Sequence, residues 1–408
     1  VVNKNSDVVI VSAVRTPFGR YGGSLKDIDY YDLGAIPMRE VIKRANIAPN
    51  TVSEVFWGVG DTSACKEVYT PVAARQTLIK AGMPHETASI SFDMACTSAM
   101  HAVKLAAMTM KAGEIDCAIA GGATSFSREP LILRNLRFNG FRIGDVKMED
   151  PLFALGYKDF NPVSVDSDII ALQHGVERAE QDEWAARSHA KYGEAWKAGK
   201  FKDEILPVTI PQDKGEPKVL DIDEQYRPGT TIETLAKLKT VYNTKTITAG
   251  NAPGLNDGAT AILLMTRQKA TELGLKPLAT VVTSVHFAMN ASRMPEAPGF
   301  GMQMALKKAG LTLDDMAVME INEAFACVPL VSLRILAGGD NEKQKLAELK
   351  EKTNVNGSAI AIGHPNTASG ARIVMNLMYE LMRRGGGYAI GSLCGGLAQA
   401  EVCIIKVE

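Results

Sequence analysis

The sequence predicts an α/β protein of two similar halves with a loop-rich segment inserted between them. Three observations carry this. Short apolar runs alternate with helical stretches over most of the chain, the pattern of strand–helix–strand units around a largely parallel sheet. That rhythm breaks between about Ser127 and Asn243, where charge, Pro and Tyr accumulate. One motif also recurs: Cys96-Thr97-Ser98-Ala99 opens a helix followed by a strand and Gly121-Gly122, and Asn366-Thr367-Ala368-Ser369-Gly370 opens another followed by a strand and Cys394-Gly395-Gly396. Two halves on one plan would bring their strand–helix turns to a shared crevice, where ligands of such sheets sit.

In order, Val8–Val14, Val55–Val59, Ala88–Phe92 and Cys117–Ala120 read as strands. Leu33–Ala45, Pro71–Ala81 and Ser98–Lys111 read as helices between them. The stretch 127–243 reads as an inserted, mostly helical and loop-rich subdomain. Beyond it, Ile262–Met265, Ala279–Val285 and Ala317–Ile321 read as strands, and Ala305–Ala309 and Ala368–Arg383 as helices. Tyr388–Leu393 and Val402–Val407 read as a closing pair. The expected division is an N-terminal half over 1–126 completed by about 244–275, the insert over 127–243, and a C-terminal half over 276–408.

The chain has 408 residues with 45 Lys+Arg against 46 Asp+Glu, so it carries a net charge of -1. That excludes a general nucleic-acid coat. No apolar run reaches the ~20 residues of a membrane span. With no visible signal peptide and no peroxisomal C-terminal tripeptide, the expected compartment is cytoplasmic. An organelle matrix stays open, because residue 1 is not Met. The six cysteines (65, 96, 117, 327, 394 and 403) show no CxxC pair or metal-finger spacing, which suits a reducing compartment.

Cys96 lies where a strand ends, the chain turns and a helix begins. Backbone N–H groups and the helix dipole there favour a thiolate, the reactive form of a nucleophile. The plainer reading is a small buried side chain at a tight turn. His364 stands between Gly363 and Pro365 on a stiff turn, and imidazole is the natural base for a thiol. The other five histidines, His85, His101, His174, His189 and His286, are assigned surface or packing roles. Cys394 closes a strand before Gly395-Gly396. Glycines let backbone N–H groups approach a carbonyl oxygen, and a second thiol could move a proton on carbon. Asn322-Glu323-Ala324-Phe325 follows a strand, and its amide suits either an oxyanion contact or a helix cap.

Together these motifs closely resemble the thiolase family. The resemblance runs over nearly the whole chain, from Val14-Arg15-Thr16-Pro17-Phe18-Gly19-Arg20 through Asp223-Glu224, Arg227-Pro228 and Thr248-Ala249-Gly250-Asn251 to the NEAF, GHP and CxG motifs in their usual order. It implies five layers, αβαβα, with 127–243 as the loop domain that holds coenzyme A. It implies that Cys96 carries the acyl group, His364 activates it, and Cys394 exchanges the α-carbon proton. Asn322, through a water, and His364 would form one oxyanion hole, and the N–H groups of Cys96 and Gly396 the other. Arg227 would lie near the nucleotide, Thr234 and Ala249 along the pantetheine, and Met294, Ala324 and Phe325 in the inner pocket. The implied reaction is reversible Claisen condensation and thiolysis of 3-oxoacyl-CoA by a ping-pong route. Coenzyme A and acyl-CoA are its substrates, no cofactor is held permanently, and a homodimer or homotetramer is expected, without nucleic-acid or membrane partners.

Four departures stand against the family pattern. Pro253 replaces the serine that bonds pantetheine, and lacks both hydroxyl and N–H. Asn161-Pro162-Val163-Ser164 stands where a His-Met-Gly stretch is usual. Met294-Pro295-Glu296-Ala297-Pro298 replaces Met-Gly-x-Gly-Pro, and the run after Cys394 becomes Gly395-Gly396-Leu397-Ala398. These touch pocket walls and leave the reacting residues intact, so altered acyl specificity is expected. The competing readings are a ketoacyl-synthase-type condensing enzyme, which lacks the second cysteine and the GHP motif, a non-catalytic acyl-CoA-binding subunit, and a papain-type hydrolase.

Overall fold

The computed structural model describes residues 7–60, 71–133, 136–140, 143–152, 159–212, 214–338 and 342–408. Cys65 lies outside them. The N-terminal part supplies β1 (Val8–Arg15), α1 (Tyr30–Ala45), β2 (Glu54–Val59), α2 (Ala73–Lys80), β3 (Ala88–Phe92), α3 (Ser98–Lys111) and β4 (Cys117–Ser125). Two helices follow, α4 (Val163–Gln173) and α5 (Arg178–Lys197), then β5 (Asn256–Thr266). Beyond these come β6 (Ala279–Ala288), α6 (Ala297–Ala309), β7 (Met316–Ile321), α7 (Cys327–Ala337), a charged helix over Lys343–Lys352, α8 (Ser369–Arg384), β8 (Gly387–Gly395) and β9 (Gln399–Val407).

These strands form one sheet in the order β7-β8-β9-β6-β1-β5-β4-β2-β3, with Gly19–Arg20 as a short tenth strand on β5. The order carries a pseudo-twofold: β2-β4-β5-β1 answers β7-β8-β9-β6. The halves meet where Val9 and Ile10 pair with Thr280 and Ala279. Alternation along the strands sorts side chains between layers. Val9, Cys117 and Ile119 face the core beneath α1 and α2, whereas Ile10, Ala118 and Ala120 face the core shared by α3 and α8. A third core packs α6 and α7 on the outer face of the second half. The layers are therefore αβαβα, with α3 and α8 touching in the middle.

The expectation of a largely parallel sheet is corrected. Only β2/β3, β2/β4 and β7/β8 are parallel; β1/β5, β4/β5, β1/β6, β6/β9 and β8/β9 are antiparallel. Strands buried on both faces read as continuous apolar runs in either orientation, so composition cannot give the direction. Helix α7 was not anticipated, and α6 begins eight residues before the expected Ala305 because the Pro and Gly residues of its first turns hid it. A two-stranded sheet, Val208–Ile210 with Lys218–Leu220, lies in the stretch read as helices and loops.

Candidate active site

Four chain segments converge. The first is the turn after β3. Asp93 Oδ1 accepts from Ala95 N at 2.7 Å, Ser98 Oγ accepts from Met94 N at 2.9 Å and donates to Ala95 O at 2.7 Å, and Thr97 Oγ1 donates to Met94 O at 2.7 Å. These bonds hold Ala95 at φ +49°, a left-handed conformation unfavourable for a residue with a Cβ. The reward is position: the half-buried Cys96 lines a cavity of about 440 Å³. The end of β8 packs directly beneath this turn, where a Cβ on Gly395 would stand 2.9 Å from Thr97 Cγ2.

The second segment carries His364. Its Nε2 lies 3.1 Å from Cys96 Sγ, and its Nδ1 lies 2.7 Å from Ser369 Oγ in the first turn of α8. Ser369 Oγ can donate onward to Pro365 O at 3.2 Å. That chain fixes the tautomer: Nδ1–H donates to the hydroxyl, and the Nε2 lone pair faces the thiol. The backbone N–H of His364 donates to Asn256 Oδ1 at 2.9 Å. Gly363, at φ +107°, allows this approach, since a Cβ there would fall 2.8 Å from Asn256 Cγ.

The third segment follows β7. Asn322 Nδ2 lies 3.5 Å from both ring nitrogens of His364, at the long edge of a hydrogen bond, and its Oδ1 accepts from Arg372 Nη2 at 3.2 Å. Arg372, fully buried and ion-paired with Glu320, therefore turns the amide so that its N–H₂ faces the imidazole. The fourth segment is the end of β8, with Cys394 fully buried and Gly395 and Gly396 on the cavity wall.

The electrostatics correct one expectation. Helix-start N–H groups were expected to lower the Cys96 thiol pKa. Instead burial pushes it well up, and the neighbouring Cys394 adds to this. Burial likewise pushes Cys394 up to about 12 and His364 down to about 4. A dry site outweighs one helix terminus. The partner of Nδ1 is a hydroxyl, so no carboxylate stabilises an imidazolium. The resting pair is a neutral thiol on a neutral imidazole.

Of the predicted residues, Cys96, His364 and Gly396 line the cavity, as do Ala249, Pro253, Met294, Ala324 and Phe325. Cys394 and Asn322 are buried behind it. Arg227 and Thr234 are exposed and do not line it; the Thr234 hydroxyl is engaged in a capping box with Thr231. Val163 and Ser164 line it too, so two of the four departures, at Pro253 and over 161–164, put altered residues on the wall, whereas the other two reach it only through Met294, Gly395 and Gly396. Ser164 Oγ is buried without a hydrogen-bond partner among the described residues. Ser369, Asn256 and Arg372 were missed, although Ser369 sits five residues after His364, within reach of a ring held at a helix start.

Comparison with known proteins gives one consistent result. The thiolase N-terminal domain model matches residues 8–268 and the thiolase C-terminal domain model matches residues 275–407. A probable acetyl-CoA acetyltransferase of Mycolicibacterium smegmatis is 40% identical over 98% of this chain and 100% of its own length. Human mitochondrial 3-ketoacyl-CoA thiolase superposes with a TM-score of 0.90 at 35% identity, over 98% of this chain and 99% of that one. Its complex with CoA gives 0.89 at 35% identity over 98% of each chain.

Proposed function

The chain belongs to the thiolase family, and from that premise we propose that it is an acyltransferase cleaving and forming 3-oxoacyl-CoA through a covalent thioester on Cys96. The observation that supports this most is the 3.1 Å approach of His364 Nε2 to Cys96 Sγ on the cavity wall.

In the degradative direction, Cys96 Sγ attacks the 3-oxo carbon as its proton passes to His364 Nε2. Charge gathers on the former carbonyl oxygen, and the backbone N–H groups of Cys96 and Gly396, both residues of the cavity wall, would receive it. The carbon–carbon bond then breaks. The departing acetyl-CoA carbanion, its oxygen held by Asn322 and His364, takes a proton from Cys394 Sγ. Free CoA next gives its thiol proton to the Cys394 thiolate and attacks the acyl carbon. Cys96 leaves as thiolate and recovers its proton from His364. Atoms and protons close, and each cysteine ends as it began. High thiol pKa values fit this scheme, because a thiolate forms only as its proton is received.

Segment 127–243 would hold the CoA. Its Pro151, Leu152, Val163, Ser164, Val241 and Tyr242 line the cavity, with Arg227 outside it for the nucleotide end and Thr234 for the pantetheine. The replaced wall residues suit a shifted acyl preference: Pro253 offers pantetheine no donor, and Ser164 adds a hydroxyl with no partner among the described residues. Exchange of labelled CoA into acetyl-CoA, with no second acyl-CoA present, tests the covalent route. Exchange lost in Cys96→Ser supports it. Exchange that needs a second acyl-CoA would contradict ping-pong transfer, and none with any acyl-CoA would favour a binding subunit.

A further inference from the structure

A second cluster of chemically capable side chains lies outside the catalytic cavity. Glu401 is on β9, directly opposite His286 on the neighbouring antiparallel β6. Residues opposite one another on adjacent strands project to the same face. From the central layer, α3 brings His101 to the same carboxylate. Both His101 Nδ1 and His286 Nδ1 lie 3.0 Å from Glu401 Oε2. The carboxylate is fully buried, whereas the histidine side chains are 16% and 29% exposed, so the cluster is reachable from one side. Glu401 Oε1 accepts no hydrogen bond among the described residues, although Lys104 Nζ stands 3.8 Å from it. The rings of His101 and His286 meet edge to face with centroids 5.5 Å apart, and Phe92 backs His101 at 5.7 Å. These contacts limit ring rotation.

We propose that His101, His286 and Glu401 form a binding site for one divalent transition-metal cation, zinc being the best fit. All three candidate ligand atoms lie within 4.8 Å of one another. Zinc bonds of 2.0–2.1 Å give a tetrahedral edge of about 3.3 Å, so the 3.0 Å nitrogen–oxygen spacings need little change. Two imidazoles and one carboxylate suit zinc and related metals, and leave a fourth position for water. Two imidazoles can both hydrogen-bond Oε2 only as donors, and that arrangement leaves Oε1 without a hydrogen bond among the described residues. A cation would take both ring lone pairs and the carboxylate charge together. The ligands come from α3, β6 and β9, so the metal would tie the central helix layer to the second half of the sheet. The thiolase reaction proposed above uses none of these side chains.

Equilibrium dialysis of the stripped full-length protein against Zn²⁺, with metal counted by mass spectrometry, tests the site. Co²⁺ absorption serves as a second readout, since a thiolate charge-transfer band would reveal binding at cysteine. The expected result is one metal per chain, an N/O-type cobalt spectrum and a raised Tm. His286→Gln and His101→Gln should each weaken binding at least about tenfold while acyl exchange persists. No bound metal, variants that bind as tightly as the native chain, or a thiolate band would overturn the proposal. Persistent acyl exchange in the variants shows that they fold and separates this outcome from any failure of the catalytic reading.

Discussion

Lowering the pH probes the resting pair directly. His364 sits at about 4 in the folded chain because burial disfavours its charge. At pH 5 about nine-tenths of it stays neutral, whereas an imidazole at its ordinary ~6.5 would be only about 3% neutral. The free-enzyme kcat/KM at pH 5 should therefore be about nine-tenths of its value at pH 7, against a roughly 25-fold fall for an unshifted base. Stability moves with the same group. The unfolded chain takes up this proton first as pH falls, so the contribution is complete above about 6.5 and is lost toward 4, by roughly 3 kcal/mol from His364 alone. Urea unfolding of the native protein and of His364→Asn across that window isolates it, because the variant should lose less. An ascending limb of kcat/KM with a midpoint near 6.5, together with equal pH slopes for the two proteins, would refute the neutral-pair reasoning.

Other outcomes follow from the same geometry. Ser369→Ala leaves Nδ1–H without its acceptor, a cost of about 1–2 kcal/mol, and should lower kcat/KM roughly tenfold with an unchanged circular dichroism spectrum. Cys394→Ala should still acquire an acetyl group from acetyl-CoA, because a CoA thiolate can leave without a proton whereas a carbanion cannot, yet lose about 10²–10⁴ in the rate of carbon–carbon cleavage; equal loss of both steps would remove its role as acid toward the carbanion. Met294→Ala opens the cavity wall, and competition between acyl-CoA chain lengths should show preference moving toward longer chains. Pro253→Ser restores a hydroxyl on that wall and should lower KM for CoA with little change in kcat, which steady-state kinetics will read.

Much of the layered fold was legible because strands buried on both faces announce themselves as unbroken apolar runs, as at Cys117–Ala120 and Ile262–Met265. The repeat of a helix-opening turn before a strand also placed α3 and α8 in matching positions, and the structure sets them side by side. Strand direction was not legible, since the same run serves either orientation. Helix α6 was read only from Ala305, since Pro298 and Gly299 weaken the helical pattern of its first turn, although Pro is well tolerated there. Within the site, Cys96 and His364 stood out by their glycine, proline and helix-start neighbours. Ser369, Asn256 and Arg372 did not, because their value lies in contacts across the fold with His364 and Asn322. The sign of the Cys96 shift was missed for a related reason: a helix start is visible in sequence, but the dryness around it is made by tertiary packing.

The central claim is that Cys96 carries the acyl group, and the mass of the intact protein after incubation with acetyl-CoA tests it most directly. The expected result is a single acetyl adduct on the native chain, absent from Cys96→Ser and discharged by added CoA. If acetyl-CoA leaves no adduct but a longer or branched 3-oxoacyl-CoA does, the thioester stands and the acyl preference has shifted. An adduct of equal size on Cys96→Ser, or none with any acyl-CoA, would contradict it.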